Sequence, residues 1–343
     1  MEAGMMQAYV IEEERQGVVK AKPIPEPGNN EVLIKVMAAG LCGTDSHIYL
    51  GEYYSSFPLT PGHEFSGIIT KVGKKVKKFA EGQRVVADPN IFCEKCCFCK
   101  ENRQNFCQDF EAIGVTTDGA FAEYVVAPEA SVFPIEQMSF KAGVLVEPLA
   151  CVIYGQMRAR PQLGDGVLIF GAGPIGLLHL QVAKRNGAAF VVVVDIKEER
   201  LALANKLGAD YLFLNQTELE HELKEKFPLG FNLVIDTTGV PAVVEKAVSF
   251  LKNSGTLLIF GVCPTNTKIE ISPYEIYKRD LEIIGSFALK KTFQPAINMI
   301  ESQLVDVSSV IGEEITLAQL PLQMKKFIEG KTFMKTIINF NQE

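Results

Sequence analysis

The sequence has no tryptophan and only four histidines in 343 residues. The first absence excludes nothing; the second makes each histidine worth placing. No apolar run approaches the roughly 20 residues of a membrane span, and the longest, around 188–194, is far too short. The opening residues, MEAGMMQAYVIEEER, hold no basic segment ahead of an apolar one, so no secretory leader is expected. The expectation is a cytoplasmic protein with no membrane partner. Basic charge is not in excess either: the net charge is −7 and the pI about 5.4. Nucleic-acid binding needs a basic face, so no nucleic-acid partner is expected. The one basic run, five lysines within 71–78, reads as a solvated hairpin edge, where lysines discourage edge-to-edge pairing.

What is present is the composition of a folded chain. Apolar residues make up 47% and charged residues 22%, enough to build a large core without disulfides. The length suggests two domains. The eight cysteines are uneven. Cys93, Cys96, Cys97, Cys99 and Cys107 fall within 15 positions, while Cys42, Cys151 and Cys263 are scattered. In a reducing compartment such a cluster points to metal rather than disulfides.

The grammar of the chain changes once. Up to about residue 145, short runs such as QAYVIE, EVLIKVMAAG, GIITKVG, QRVVADP and AEYVVAP alternate with glycine and proline, as in a mostly-β domain. From about 148, apolar strands (VLIF, FVVVVDI, FNLVID, GTLLIF) alternate with helical segments, which predicts a parallel, doubly wound sheet. That alternation fades near 281–288, and the tail resembles neither half. No internal repeat or low-complexity segment is found.

Gly171-Ala-Gly173-Pro174-Ile175-Gly176 follows the strand VLIF and opens a helix. The first glycine permits the tight turn, the second lets a pyrophosphate approach the backbone, and the third lets helix and strand pack closely. The helix N-terminus faces the phosphates. Asp195 ends the next strand, 22 residues after Gly173, where a carboxylate accepts hydrogen bonds from ribose hydroxyls and repels a 2′-phosphate. NAD is therefore expected over NADP. Arg200 and Lys197 stand nearby and pull the other way; Arg200 is taken as a further cofactor contact.

Cys93, Cys96, Cys99 and Cys107 can supply four thiolates from one loop, as in a closed, structural zinc site. An iron–sulfur cluster uses the same ligands. Cys97 reads as a bystander or an alternative ligand. A second set is dispersed: Gly40-Leu-Cys42-Gly-Thr44-Asp45-Ser-His47, then Pro61-Gly62-His63-Glu64, then Val146-Glu147-Pro148. Singly, each residue has an ordinary structural explanation. His179 and His221 read as structural or exposed.

With these pieces in view, the chain resembles the zinc-dependent medium-chain alcohol and polyol dehydrogenases, nearest the sorbitol and threonine dehydrogenase branch. The matching segments are GLCGTDSH, PGHEFSG, the four-cysteine lobe, DGAFAEYVV, EPLA, GAGPIG and Asp195, spanning nearly the whole chain. The resemblance implies α/β plus mostly-β architecture: a GroES-like β-barrel catalytic domain (1–148, with a zinc lobe at 90–110), an inserted Rossmann domain (149–286), and a return to the catalytic domain (287–343). The active site would be the cleft between them. It implies one catalytic zinc on Cys42, His63 and Glu147 or Glu64, the coordinating carboxylate being left open, and one structural zinc on the lobe. Asp45 would orient a metal-bound group. Thr44 would take the substrate proton, and His47 would pass it to solvent. A homo-oligomer, dimer or tetramer, is implied, with SGTLLIFGVCP as a candidate edge strand.

The implied reaction is hydride transfer between NAD and a secondary alcohol, most simply a polyol or sugar alcohol, giving the ketone. Departures from sorbitol dehydrogenases remain: Ile48 replaces a tyrosine after the relay histidine, and Ala288 and Leu289 replace an Arg-Tyr pair. Lys290 and Lys291 raise the question of a phosphorylated polyol. Tyr53, Phe57 and Phe121 are candidate pocket walls. The alternatives are a threonine-type dehydrogenase, a zinc-free quinone reductase and a non-catalytic dinucleotide-binding protein. The zinc-free and non-catalytic readings are disfavoured by the intact ligand set.

Overall fold

The computed structural model describes residues 4–340. The chain forms two compact units. One runs to Pro148, takes up Phe293–Glu301 and resumes at Ile311; the other holds Leu149–Thr292 and Ser302–Val310. The tail thus differs from the expectation that 287–343 returns as one block. Residues 302–310 stay with the second unit because they are tied to its helix Pro174–Arg185. Gln181 Nε2 donates to Asp306 O at 3.1 Å, Asp306 N–H donates to Gln181 Oε1 at 2.7 Å, and Arg185 Nε donates to Leu304 O at 2.9 Å.

The second unit is built on six parallel strands. Their spatial order is Tyr211–Leu214, Phe190–Asp195, Gly166–Phe170, Phe231–Asp236, Leu251–Ile259, Glu282–Gly285. Numbered along the chain this is 3-2-1-4-5-6, the dinucleotide-binding order, whose direction reverses beside Gly166–Phe170. Val191 to Val194 are all buried, as expected of a strand covered on both faces. Leu251–Ile259 is paired on both sides, so the segment SGTLLIFGVCP is not an edge. Its buried leucines mark an interior strand; the edges are Tyr211–Leu214 and Glu282–Gly285.

The first unit holds a seven-stranded sheet ordered Ile311–Ile315, Lys335–Asn339, Glu31–Gly40, Glu64–Val72, Arg84–Ala87, Val132–Pro134, with Tyr124–Pro128 also pairing on Glu31–Gly40. Met5–Glu13 and Gln16–Pro23 form a separate hairpin. The core gathers Tyr9, Ile34, Leu41, Ile48, Phe65 and Phe121, among others. Register matters here. Gly40 stands opposite Ile337 on one side and opposite Glu64 on the other. The last strand is thereby brought beside two segments nearly 300 residues earlier.

No helix among the described residues is long and apolar enough to cross a membrane.

Candidate active site and metal centres

Cys42 caps the short helix Gly43–Tyr49, and the cap fixes its surroundings. Its backbone N–H donates to Asp45 Oδ2 at 2.8 Å, closing a capping box. Cys42 Sγ lies 3.8 Å from Thr44 Oγ1. Asp45 is fully buried, and its Oδ1 lies 3.5 Å from His63 Nδ1. His63 arrives through Gly62, whose φ of +100° is open to glycine and whose Cβ would strike Phe121. One ligand atom each from Cys42, His63 and Glu64 falls within 4.8 Å of the others. Burial pushes the His63 pKa down, but Asp45 and Cys42 outweigh it and hold the ring well above its usual range. Such a thiol–imidazole–carboxylate set binds a proton tightly when no metal competes. Soft sulfur, imidazole and carboxylate together suit zinc, and the buried Asp45 beside His63 is the partner a ligating histidine requires.

Glu64 is buried and its carboxylate faces Lys335. Lys335 Nζ donates to both Glu64 oxygens at 2.7 Å and to Leu41 O at 3.3 Å. Burial would depress this ammonium; Glu64, Cys42 and Glu147 overcome it and raise its pKa. Gly40 makes the arrangement possible, because a Cβ there would sit 2.3 Å from Glu64 Oε2. Sequence reasoning missed Lys335, which lies in a segment read only as a final strand. Glu147, in the first turn of the helix Val146–Ala159, is outside the cluster, though its charge reaches Lys335. His47 Nδ1 pairs with Glu52 Oε2 at 2.7 Å, a second partner not foreseen. Ile48 is fully buried in the core and Phe121 likewise, so Phe121 is not a pocket wall. Tyr53 and Phe57 pack on the same core.

The lobe has little structure of its own: one two-residue strand pair, one four-residue helix and a single 3-10 turn. Its four expected sulfurs, on Cys93, Cys96, Cys99 and Cys107, converge within 4.8 Å. Backbone N–H groups already point at sulfur, Cys93 N to Cys107 Sγ at 3.3 Å and Cys96 N to Cys93 Sγ at 3.4 Å. Donors from Gln108 and Cys99 bring the Cys96 thiol down to about 6. Cys97 is exposed and outside the group.

In the second unit the glycine loop keeps the expected form. Gly171 has φ +100°, and a Cβ at Gly176 would lie 1.8 Å from Gly171 O. A Cβ at Gly173 would meet no protein atom nearer than Arg200 Nη1 at 3.9 Å. Glycine there keeps clear a space that the loop itself does not need. Pro174 and Ile175 begin the helix, whose cap Gly173 offers no side-chain acceptor to its N–H groups, the setting that favours a bound anion. Asp195 accepts from Ala172 N–H at 2.7 Å and from Lys197 N–H at 2.9 Å, and a carboxylate has further lone pairs that hydroxyl donors can use. Leu289 is buried, Lys290 half-buried and Lys291 exposed. His179 is fully buried in the loop's helix, edge-on to Phe260 with centroids 4.6 Å apart; His221 is exposed, near Glu225.

Comparison with known proteins follows the same division. Residues 28–137 match the alcohol dehydrogenase GroES-like domain, and residues 174–302 the zinc-binding dehydrogenase domain. The chain is 37% identical over 311 residues to D-arabinitol dehydrogenase 1 of Uromyces fabae, covering 89% of each. Two solved structures superpose with TM-scores of 0.92. One is a Sinorhizobium meliloti protein described as a zinc-binding dehydrogenase and bound to NADP (33% identity, 98% of this chain, 99% of that one). The other is a short chain alcohol dehydrogenase of Escherichia coli complexed with NADH (30% identity, 98% and 100%).

Proposed function

The chain belongs to the zinc-dependent medium-chain alcohol and polyol dehydrogenases, and on that premise we propose that it oxidises a secondary alcohol of a polyol or sugar alcohol to the ketone, with NAD as hydride acceptor. The observation that carries this reading is the convergence of Cys42, His63 and Glu64 in a chain that also keeps the glycine loop and Asp195. The likeness to an arabinitol dehydrogenase supports the polyol class. Asp195, a carboxylate at the end of the second strand, supports NAD over NADP, against Lys197 and Arg200 nearby.

Cys42 and His63 would hold the catalytic zinc, with Glu64 and Glu147 the two candidate carboxylates, and the lobe cysteines would hold the structural one. The bound groups supply Lewis acidity toward an alcohol and a hydride acceptor. The remaining steps are the chain's own. Thr44 Oγ1, beside Cys42, accepts the substrate proton. His47 passes it to solvent; Glu52 occupies Nδ1, so Nε2 is the nitrogen left to accept. Asp45 fixes the His63 ring through Nδ1. The glycine loop and the helix N-terminus seat the pyrophosphate, Arg200 flanks Gly173, and Asp195 takes the ribose hydroxyls.

The test is nicotinamide reduction with NAD and with NADP across secondary alcohols, C4–C6 polyols, polyol phosphates and L-threonine, in protein assayed for zinc. Turnover on polyols with NAD is expected, at about two zinc ions per chain. Turnover confined to phosphorylated polyols would bring Lys290 into the site. Turnover confined to L-threonine would replace the polyol reading. Silence in protein lacking zinc at Cys42 would overturn the enzymatic reading.

A further inference from the structure

The second unit holds a cavity of about 600 Å³ at the end of its sheet opposite the glycine loop. Gly171 follows the carboxyl end of Gly166–Phe170, whereas the cavity lies at the amino ends of Phe231–Asp236 and Leu251–Ile259. A dinucleotide sits at the carboxyl ends of such strands, so the cavity lies away from the cofactor's place. Much of its lining is apolar. Leu223 and Phe250 are buried, Phe227 is half-buried, and Leu229 is 83% exposed. Gly230 has φ +76°, and a Cβ there would sit 2.6 Å from Phe250 O, so glycine lets these two stretches of backbone approach.

All the charge on the lining is positive, from Lys224, Lys252 and Arg279, in a chain whose net charge is −7. Two acids outside the lining share it: Glu220 accepts from Lys224 at 2.6 Å, and Glu275 lies 4.0 Å from Arg279. Lys252 has no ion pair among the described residues. A break in strand pairing sets its place. Phe231 stands opposite Leu251, but Leu233 stands opposite Thr256. One residue of the first strand therefore faces four of the second, 252–255, and Ser254 takes φ +60° within that excursion. Arg279 is fixed as well, since its Nη2 donates to Leu251 O; a guanidinium has five N–H donors, so others remain for a ligand. An apolar cavity of this size with a few placed charges has the form of a small-molecule site. We propose that it binds a small organic anion, with the charge on Lys252 and Arg279 and an apolar body against Phe227 and Leu229. Such a site needs nothing of the metal chemistry at Cys42 and His63.

The experiment is fluorescence titration of the full chain with anilinonaphthalene sulfonate, an anion on an apolar ring system, in the presence of excess NAD to compete for the glycine loop. Saturable binding is expected despite NAD. Phenylnaphthylamine, the same rings without the sulfonate, should bind at least about tenfold more weakly, as befits an anion held by two cations in a partly desolvated cavity. Lys252→Glu should weaken the sulfonate by at least about tenfold as well. Leu229→Asp should weaken both probes, because it places a carboxylate where the apolar body rests. Circular dichroism checks that each variant is folded. The proposal is overturned if NAD abolishes binding, if the neutral probe binds within about tenfold of the charged one, or if folded Lys252→Glu loses less than that. Should Lys252→Glu not fold, the two probes compared on wild type decide, since that measurement needs no variant.

Discussion

The two groups of candidate metal-ligating side chains are made in opposite ways. In the lobe, four sulfurs come from residues 93–107, a single loop with almost no regular structure. In the other group Cys42 comes from a helix cap and His63 and Glu64 from the entry to a strand, while Lys335, which pairs with Glu64, comes from the last strand, 271 residues further on. Closing a short loop costs little entropy, so a metal could assemble the lobe by itself, and its binding there would be folding energy. The dispersed group cannot be gathered by a metal alone. The sheet, through the register of Gly40 against Glu64 and Ile337, places it beforehand.

If this contrast is right, removing one sulfur from each group should have different consequences. Cys42→Ala should lower turnover by roughly a thousandfold or more, the loss expected when Lewis-acid stabilisation of several kcal/mol disappears. Its melting temperature and NAD binding should stay near wild type, by calorimetry and cofactor titration. Cys99→Ser should instead lose the lobe metal and several kcal/mol of stability, seen as a lowered denaturation midpoint and one fewer zinc by metal analysis. Similar losses of stability in both would break the comparison.

Two buried titratable groups, one in each unit, sharpen it at smaller scale. His179 is held down to about 3 by burial. Its neutral form is the stable one, so its contribution is intact above about pH 6.5 and is lost as the pH falls toward 3. At pH 5 that loss amounts to about 2 kcal/mol, measurable as the difference between urea unfolding at pH 7 and pH 5. His179→Gln should flatten the difference; an equally steep pH dependence in that variant would remove His179 as its cause. Asp88, at the base of the lobe, moves in the opposite sense. Burial pushes it up to about 6 against hydrogen bonds from Asn90, so its stabilising contribution belongs to low pH and is lost as the pH rises through 6. Asp88→Asn should therefore stabilise the fold by about 1–3 kcal/mol at pH 8 and leave it nearly unchanged at pH 4, by the same unfolding measurement.

How much could be read beforehand followed the range of the interactions involved. The glycine loop and its strand are contiguous, and Gly171 and Gly176 adopt the geometry their spacing implied. The cysteine lobe is contiguous too. Glu147 and Glu64 could not be told apart along the chain; in the fold Glu64 joins Cys42 and His63 while Glu147 stands outside. An aromatic in a loop carries no mark of burial, so Phe121 reads as readily as a pocket wall; packing in the first unit's core decides it. Residues 302–310 read as one with the rest of the tail, since nothing local reveals that Asp306 bonds to Gln181. Gly40 did carry a signal for the buried carboxylate, but only in company with a partner that could not be seen.

By itself the sequence determined the period of its strands and helices, the dinucleotide turn and the sulfur spacing of the lobe. Each depends on residues a few positions apart, where backbone geometry limits the outcomes to a few. Only the tertiary structure decided which acid stands with Cys42 and His63, which lysine faces it, and which end of the tail joins which unit. Those choices rest on strand register and on the cost of burying a charge without a partner, and both are properties of the assembled sheet rather than of any segment within it.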